Sequence, residues 1–173
     1  MEAEEESSPP EEAGGTAMTA LIIISCSKTK KRLDNVPAIE LYDGQAYRVI
    51  RKSSPEDIEI LIISAKYGLL RSTDIISYYD QAMTVSQAVG MSREVSSGIM
   101  NIVSMGGFRR IFISLGFPYS LAVSEELMGF LDENFYLQVA HGPIGKRLHQ
   151  LKEFLGSLKQ ECPKDRFSME RMT

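Results

Sequence analysis

The chain has no apolar run long enough to cross a membrane; the longest, Ala20 to Ile24, is a strand's length. Its first residues are acidic and proline-bearing, unlike a secretory signal, so export is not expected. Cysteine is scarce: Cys26 and Cys162 make a poor disulfide framework, and a reducing, cytoplasmic setting is the expectation. The two histidines, His141 and His149, have no tight spacing to those cysteines, which argues against a structural zinc site. No Ser-His-Asp order is defensible, and no internal repeat stands out.

What is present suits one domain. A chain of 173 residues can bury a proper core. Six glutamates and no lysine or arginine fall within residues 1–17, which read as a disordered acidic tail. Without those six, 17 acidic residues face 19 basic ones, so the remainder is nearly neutral. Residues 18–159 are expected to form a single α/β domain, and residues 160–173 a loose tail.

Four apolar, β-branched runs alternate with helix-period segments. The strand candidates are Leu21 to Ser25, Glu59 to Ile63, Arg110 to Leu115 and Phe135 to Ala140. The helix candidates are Tyr42 to Lys52, Thr84 to Met105 with Thr84 as N-cap, Tyr119 to Leu131, and Lys146 to Leu158. Gly90 and Gly98 weaken the second of these. Such alternation predicts a three-layer, Rossmann-like fold, with a mainly parallel sheet of about four or five strands and helices on both faces.

That architecture brings every strand exit to one edge, where ligands bind in a crevice. The exits are Cys26-Ser27-Lys28, Ser64-Ala65-Lys66-Tyr67-Gly68, Gly116-Phe117-Pro118-Tyr119 and His141-Gly142-Pro143-Ile144-Gly145. Lys28, Lys30, Lys31 and Arg32 crowd the first loop, as an anion site or as a solvated loop. Lys146 and Arg147 open the last helix, where cations oppose the helix dipole unless a phosphate sits there or both bend to water. G-P-I-G-K is not the phosphate-loop pattern, so no ATPase is inferred.

Three residues are catalytic candidates. Cys26, in a lysine-rich setting, suits a nucleophile with a lowered pKa, or a semi-buried thiol. Asp74 suits water activation or a ribose hydroxyl, or else a salt bridge with Arg71 or a cap. Lys66 stands at a strand exit with Tyr67 and Tyr79 nearby in sequence. His141 is a general base or a hydrogen-bonded structural group.

The run S-A-K-Y-G-L-L-R-S-T-D-I-I-S-Y-Y-D-Q-A-M, Ser64 to Met83, resembles the signature of the YaaA peroxide-stress family. C-S-K-T-K, Cys26 to Lys30, is similar to the Cys-x-x-x-Lys element of the archaeosine synthase core domain. It also resembles the loop of an uncharacterised prokaryotic family that continues to Pro-Ala and Leu-Tyr, as Pro37-Ala38 and Leu41-Tyr42 do. That family ends in a glycine-rich turn and a leucine helix, as Gly142 to Leu151 does. The likeness touches most of residues 20–155. It implies that Cys26, Lys30, Tyr42, Ser64, Lys66, Tyr67, Gly68, Asp74 and Tyr79 line one site. Lys30 is followed here by Lys31-Arg32-Leu33 rather than Pro-Tyr, so the synthase's chemistry is not carried over.

The expectation is an enzyme acting on a nucleotide or on a nucleobase in nucleic acid, by base modification or at the N-glycosidic bond. Lys28, Lys30 and Lys146 would hold phosphate, Tyr67 or Tyr79 would stack the base, and Cys26 or Asp74 would react. Ser27, Gly68, Gly116, Gly142 and Gly145 complete the expected ligand-binding rim. The alternative is a non-catalytic DNA- or RNA-binding stress-response protein, and a third reading is an interaction module using its acidic tail. Neither a cofactor nor an oligomeric state follows from the residues.

Overall fold

The computed structural model describes residues 20–53 and 56–160. The acidic tail expected over 1–17, Pro55, Cys162 and all but the first residue of the 160–173 tail lie outside the described residues. Among those described, no helix is long and apolar enough to cross a membrane.

Strand β1, Ala20–Ser25, is apolar at consecutive positions because both its faces are covered, and Ala20 through Ile24 are buried. It pairs in parallel with β3, Ile58–Ser64, on one side and with β6, Arg110–Ser114, on the other. Strand β7, Tyr136–Val139, extends the sheet in parallel beyond β6. A fifth strand, β4 (Gly68–Arg71), turns back antiparallel along β3, giving the order β4-β3-β1-β6-β7. A short ribbon joins β2, Val36–Pro37, to β5, Ile75–Ile76, beside this sheet. The three-layer α/β expectation is met. The antiparallel hairpin and the ribbon are additions, because two- to four-residue strands carry too little periodicity to read.

Helices α1 (Ala38–Leu41) and α2 (Gln45–Ser53) link β1 to β3. The helix expected over Tyr42 to Lys52 begins only at Gln45, and a separate short helix, α1, ends just before the expected start. Arg51 explains the break: its guanidinium donates to the carbonyls of Ile39 and Tyr42 and to the Asp43 carboxylate, holding the interruption in place. Helix α3, Val85–Met105, is continuous through both glycines, with Thr84 and Gln87 forming a reciprocal capping box. At Gly98 a Cβ would lie 2.7 Å from Leu69 Cδ2, so a larger residue there would make that side chain shift. Val85 and Val89, in its first turns, are exposed.

The helix expected over Tyr119 to Leu131 divides into a 3₁₀ turn, Tyr119–Ala122, and α4, Glu125–Asn134, because the Ser124 hydroxyl caps a fresh start by accepting the Leu127 N–H. Helix α5, Ile144–Gln160, begins two residues earlier than expected and buries Leu151, Phe154 and Leu155. It packs against α2 and the sheet, with Phe154 and Phe112 centred 5.0 Å apart. Right-handed crossovers put α3 and α4 on the opposite face. Each fully buried Ile, Leu or Phe in these layers contributes about 1.5–3 kcal/mol.

Candidate functional site

The chain runs from β1 out to β3, then crosses back past β1 to β6. The strand order therefore reverses at β1, so the exits of β1 and β6 flank the position where open α/β sheets hold their ligand crevice. Cys26 occupies the first exit, with its N–H bonded to the Ile63 carbonyl at 2.9 Å. Tyr119 follows the second exit, and its hydroxyl lies 3.1 Å from the Cys26 sulfur. The thiol is 7% exposed. Burial, with the thiol beside it, pushes the Tyr119 phenol up, while a backbone hydrogen bond from Met83 acts against that.

Next to this pair, at the β3 exit, three hydroxyls close a ring. Tyr42 and Tyr79 hydroxyls are 2.7 Å apart, and Ser64 Oγ lies 2.8 Å from Tyr79 and 3.3 Å from Tyr42. Ser64 Oγ also accepts the N–H groups of Lys66 and Tyr67 at 3.2 and 3.1 Å. Ser64 Oγ thus accepts from both N–H groups and from the Tyr42 hydroxyl, which leaves its own proton for Tyr79. Burial drives the Tyr42 phenol up to about 12 and raises Tyr79 and Tyr47 as well. All of these phenols are protonated donors near neutrality. Tyr47 donates to the Ser25 carbonyl at 2.8 Å, and Tyr67 to the Ser77 carbonyl at 3.2 Å.

Cations stand above this buried layer. The Lys30 ammonium is 4.5 Å from the centre of the Tyr79 ring, and the Lys66 ammonium is 5.2 and 5.8 Å from those of Tyr67 and Tyr79. Lys30 is held by a backbone bridge to Tyr42. Ser27 accepts the Gly44 N–H at 3.3 Å and bonds the Thr29 carbonyl, closing its loop against the start of α2. Lys28 points to solvent. Across the crevice the Arg147 guanidinium lies against Gly116, where a Cβ would meet it at 3.4 Å. Among the described residues Lys28, Lys30, Lys31, Arg32, Lys66, Lys146 and Arg147 form no ion pair, whereas Arg48, Arg51 and Arg71 all do.

The structure brings Cys26, Ser27, Lys30, Tyr42, Ser64, Lys66, Tyr67, Gly68 and Tyr79 to the β1–β3 corner of this rim. Gly68 turns the chain there with φ +73°, a conformation that suits glycine. Gly116 sits at the β6 exit. Gly142, Gly145 and Lys146 share the same edge of the sheet but belong to β7, three strand spacings (roughly 14 Å) from β3. Gly142 has φ +91°, and the Lys146 side chain folds over it. His141 is exposed and its backbone is clamped by Gln150.

Two expectations need correcting. Asp74 does not join the exits, because the β3–β4 hairpin carries it back along β3, roughly 13 Å toward the other end of the sheet. There its carboxylate accepts the Arg71 N–H at 2.8 Å and its carbonyl accepts the Ala38 N–H, which is turn construction. Tyr79 cannot stack a base. It is 6% exposed, its ring meets those of Tyr42 and Tyr67 at 85° and 86°, and Lys30 covers it.

Tyr47, Tyr119 and Gln81, whose amide reaches the Ala65 carbonyl at 3.0 Å, were not among the expected site residues. Tyr119 stands in the third exit as read from the sequence, yet nothing there signals that its hydroxyl meets Cys26. Phe117, 75% exposed beside Gly116, is the large aromatic that does offer a free face. A separate surface cleft of about 780 Å³ between α3 and α4, lined by Arg93, Ser96, Asn101 and Glu125 among others, contains none of the strand-exit residues. Among the described residues no cluster of three or more His, Cys, Asp or Glu side chains is placed to hold a metal.

Comparison with protein-family models finds a match over residues 21–153 to a family described as being of unknown function. The match begins in β1 and ends inside α5, so it takes in the whole rim. No curated protein and no solved structure matches the chain.

Proposed function

The chain belongs to that family of unknown function (DUF6884), and from there we propose that it is an enzyme acting on a nucleotide or on a nucleobase within nucleic acid. One observation supports this reading above the rest. A half-buried thiol–phenol pair lies where the strand order reverses, and Lys30, Lys66 and Arg147 at the neighbouring strand exits form no ion pair among the described residues. Uncompensated positive charge at a crevice favours an anionic ligand and raises its local concentration. Lys30, Lys66 and Arg147 hold phosphate, and Cys26 is the reacting group, with Tyr119 its hydrogen-bond partner. The buried hydroxyls keep the floor rigid.

Thermal unfolding with nucleotides tests the ligand. At a hundredfold its Kd a ligand adds about 2.7 kcal/mol, a rise of roughly 5–10 °C for a chain of this size. Lys30→Ala and Arg147→Ala should each shrink the rise, and Cys26→Ser should keep it while abolishing turnover. An unmoved wild-type transition defeats the reading.

The exposed Lys28, Lys31 and Arg32, outside the crevice, favour a second reading as a nucleic-acid-binding protein without catalysis. In that case binding weakens steeply with salt, no turnover is found, and Cys26→Ser changes nothing.

A further inference from the structure

The cations that ring the crevice fall into two groups, one on each side of the Cys26–Tyr119 pair. Lys30 and Lys66 converge on the Tyr79 ring, which is tied through Ser64 to the β3 tip. Arg147 lies against Gly116 at the β6 tip. Strand β1, with Cys26 at its end, runs between those two tips. The β3 and β6 tips beside which the two groups lie are two strand spacings apart, about 10 Å, a span longer than one phosphate. Among the described residues no acidic side chain forms an ion pair with either group.

A free mononucleotide carries its phosphate at one end and would leave one group empty. A nucleoside inside a strand has a phosphate on each side of its sugar. We infer that, if the site acts on nucleotides at all, its substrate is a single-stranded oligonucleotide whose target nucleoside faces Cys26 while its two flanking phosphates are held by Lys30 with Lys66 and by Arg147. Single-strandedness follows from the recess. Cys26 is 7% exposed, so only a group turned out of a base stack can reach it. Phe117, 75% exposed next to Gly116, supplies a ring face on which the neighbouring base stacks beyond the Arg147 side.

The test compares three probes on the full chain: a mononucleotide, the matching nucleoside triphosphate, and a short single-stranded oligonucleotide. The oligonucleotide should bind at least about tenfold more tightly than either of the others. Its log Kd against log salt should lose about 0.7 from the slope in Lys66→Gln and again in Arg147→Gln, one strand phosphate each. Phe117→Ala, a surface change that leaves folding intact, should weaken the oligonucleotide at least about fivefold and leave the mononucleotide unaffected. Equal binding of the mononucleotide or the triphosphate overturns the two-phosphate assignment while leaving a nucleotide site standing. So does an unchanged slope in Arg147→Gln. Failure of all three probes removes the nucleotide reading itself.

Discussion

The two sides of the crevice are built differently. On the β1–β3 side, Tyr42, Tyr47, Ser64 and Tyr79 are buried; Tyr42, Ser64 and Tyr79 share hydrogen bonds, and Tyr47 donates to the Ser25 carbonyl while its ring packs on Tyr42. On the β6–β7 side, Phe117, His141, Gly142, Ile144 and Lys146 are exposed, and the Arg147 guanidinium lies against Gly116. One side is a prebuilt floor and the other an open lip. A rigid floor holds reacting groups in place without reorganisation, whereas an open lip leaves room for a ligand to enter.

Removing an aromatic ring should therefore have opposite consequences on the two sides. Tyr42→Ala empties a site of zero exposure and should cost about 3–5 kcal/mol in urea unfolding. A loss under about 1 kcal/mol would mean that the floor is not packed as described.

Alkali should attack the same side next. Tyr42 holds its proton up to about 12 when folded, against 10.0 for an ordinary phenol. A folded value above the unfolded one means that the stabilisation is complete below pH 10 and lost as pH rises from 10 through 12. The loss is about 2–3 kcal/mol. Phenolate absorbance followed alongside circular dichroism should show Tyr42 ionising only as the fold is lost. A full set of phenolates on an intact fold would contradict its burial.

Tyr79→Phe deletes one hydroxyl from the ring of three and takes from Ser64 the acceptor at 2.8 Å. The expected destabilisation is about 1–2 kcal/mol. A double-mutant cycle with Tyr42→Phe should be non-additive, since the two share a bond. Additive costs would separate them. On the lip, Phe117→Ala should change stability by less than about 0.5 kcal/mol, and a larger loss would make that ring part of the core.

Much of this contrast was legible along the chain and some was not. The continuous apolar run from Ala20 to Ile24 marks a strand covered on both faces, and the heptad-like spacing of Leu151, Phe154 and Leu155 marks a buried helix stripe. Exits at Cys26, Ser64, Gly116 and His141 follow once the strands are parallel. The hairpin that removes Asp74 was invisible, because Gly68–Arg71 is short and reads as part of a loop. Asp74 and Cys26 resemble each other as polar groups near strand ends. Their fates diverge because one lies after a strand that reverses direction.

Local periodicity and the small residues at the strand ends were enough to establish an α/β alternation with a polar edge, since a 2.0 or 3.6 repeat depends only on near neighbours. Strand order is a different matter. That β1 lies between β3 and β6, that Tyr119 meets Cys26 across 93 positions, and that Arg147 settles on Gly116 all depend on contacts between distant segments. Such contacts are selected by packing of the whole sheet, and no window of the chain contains them.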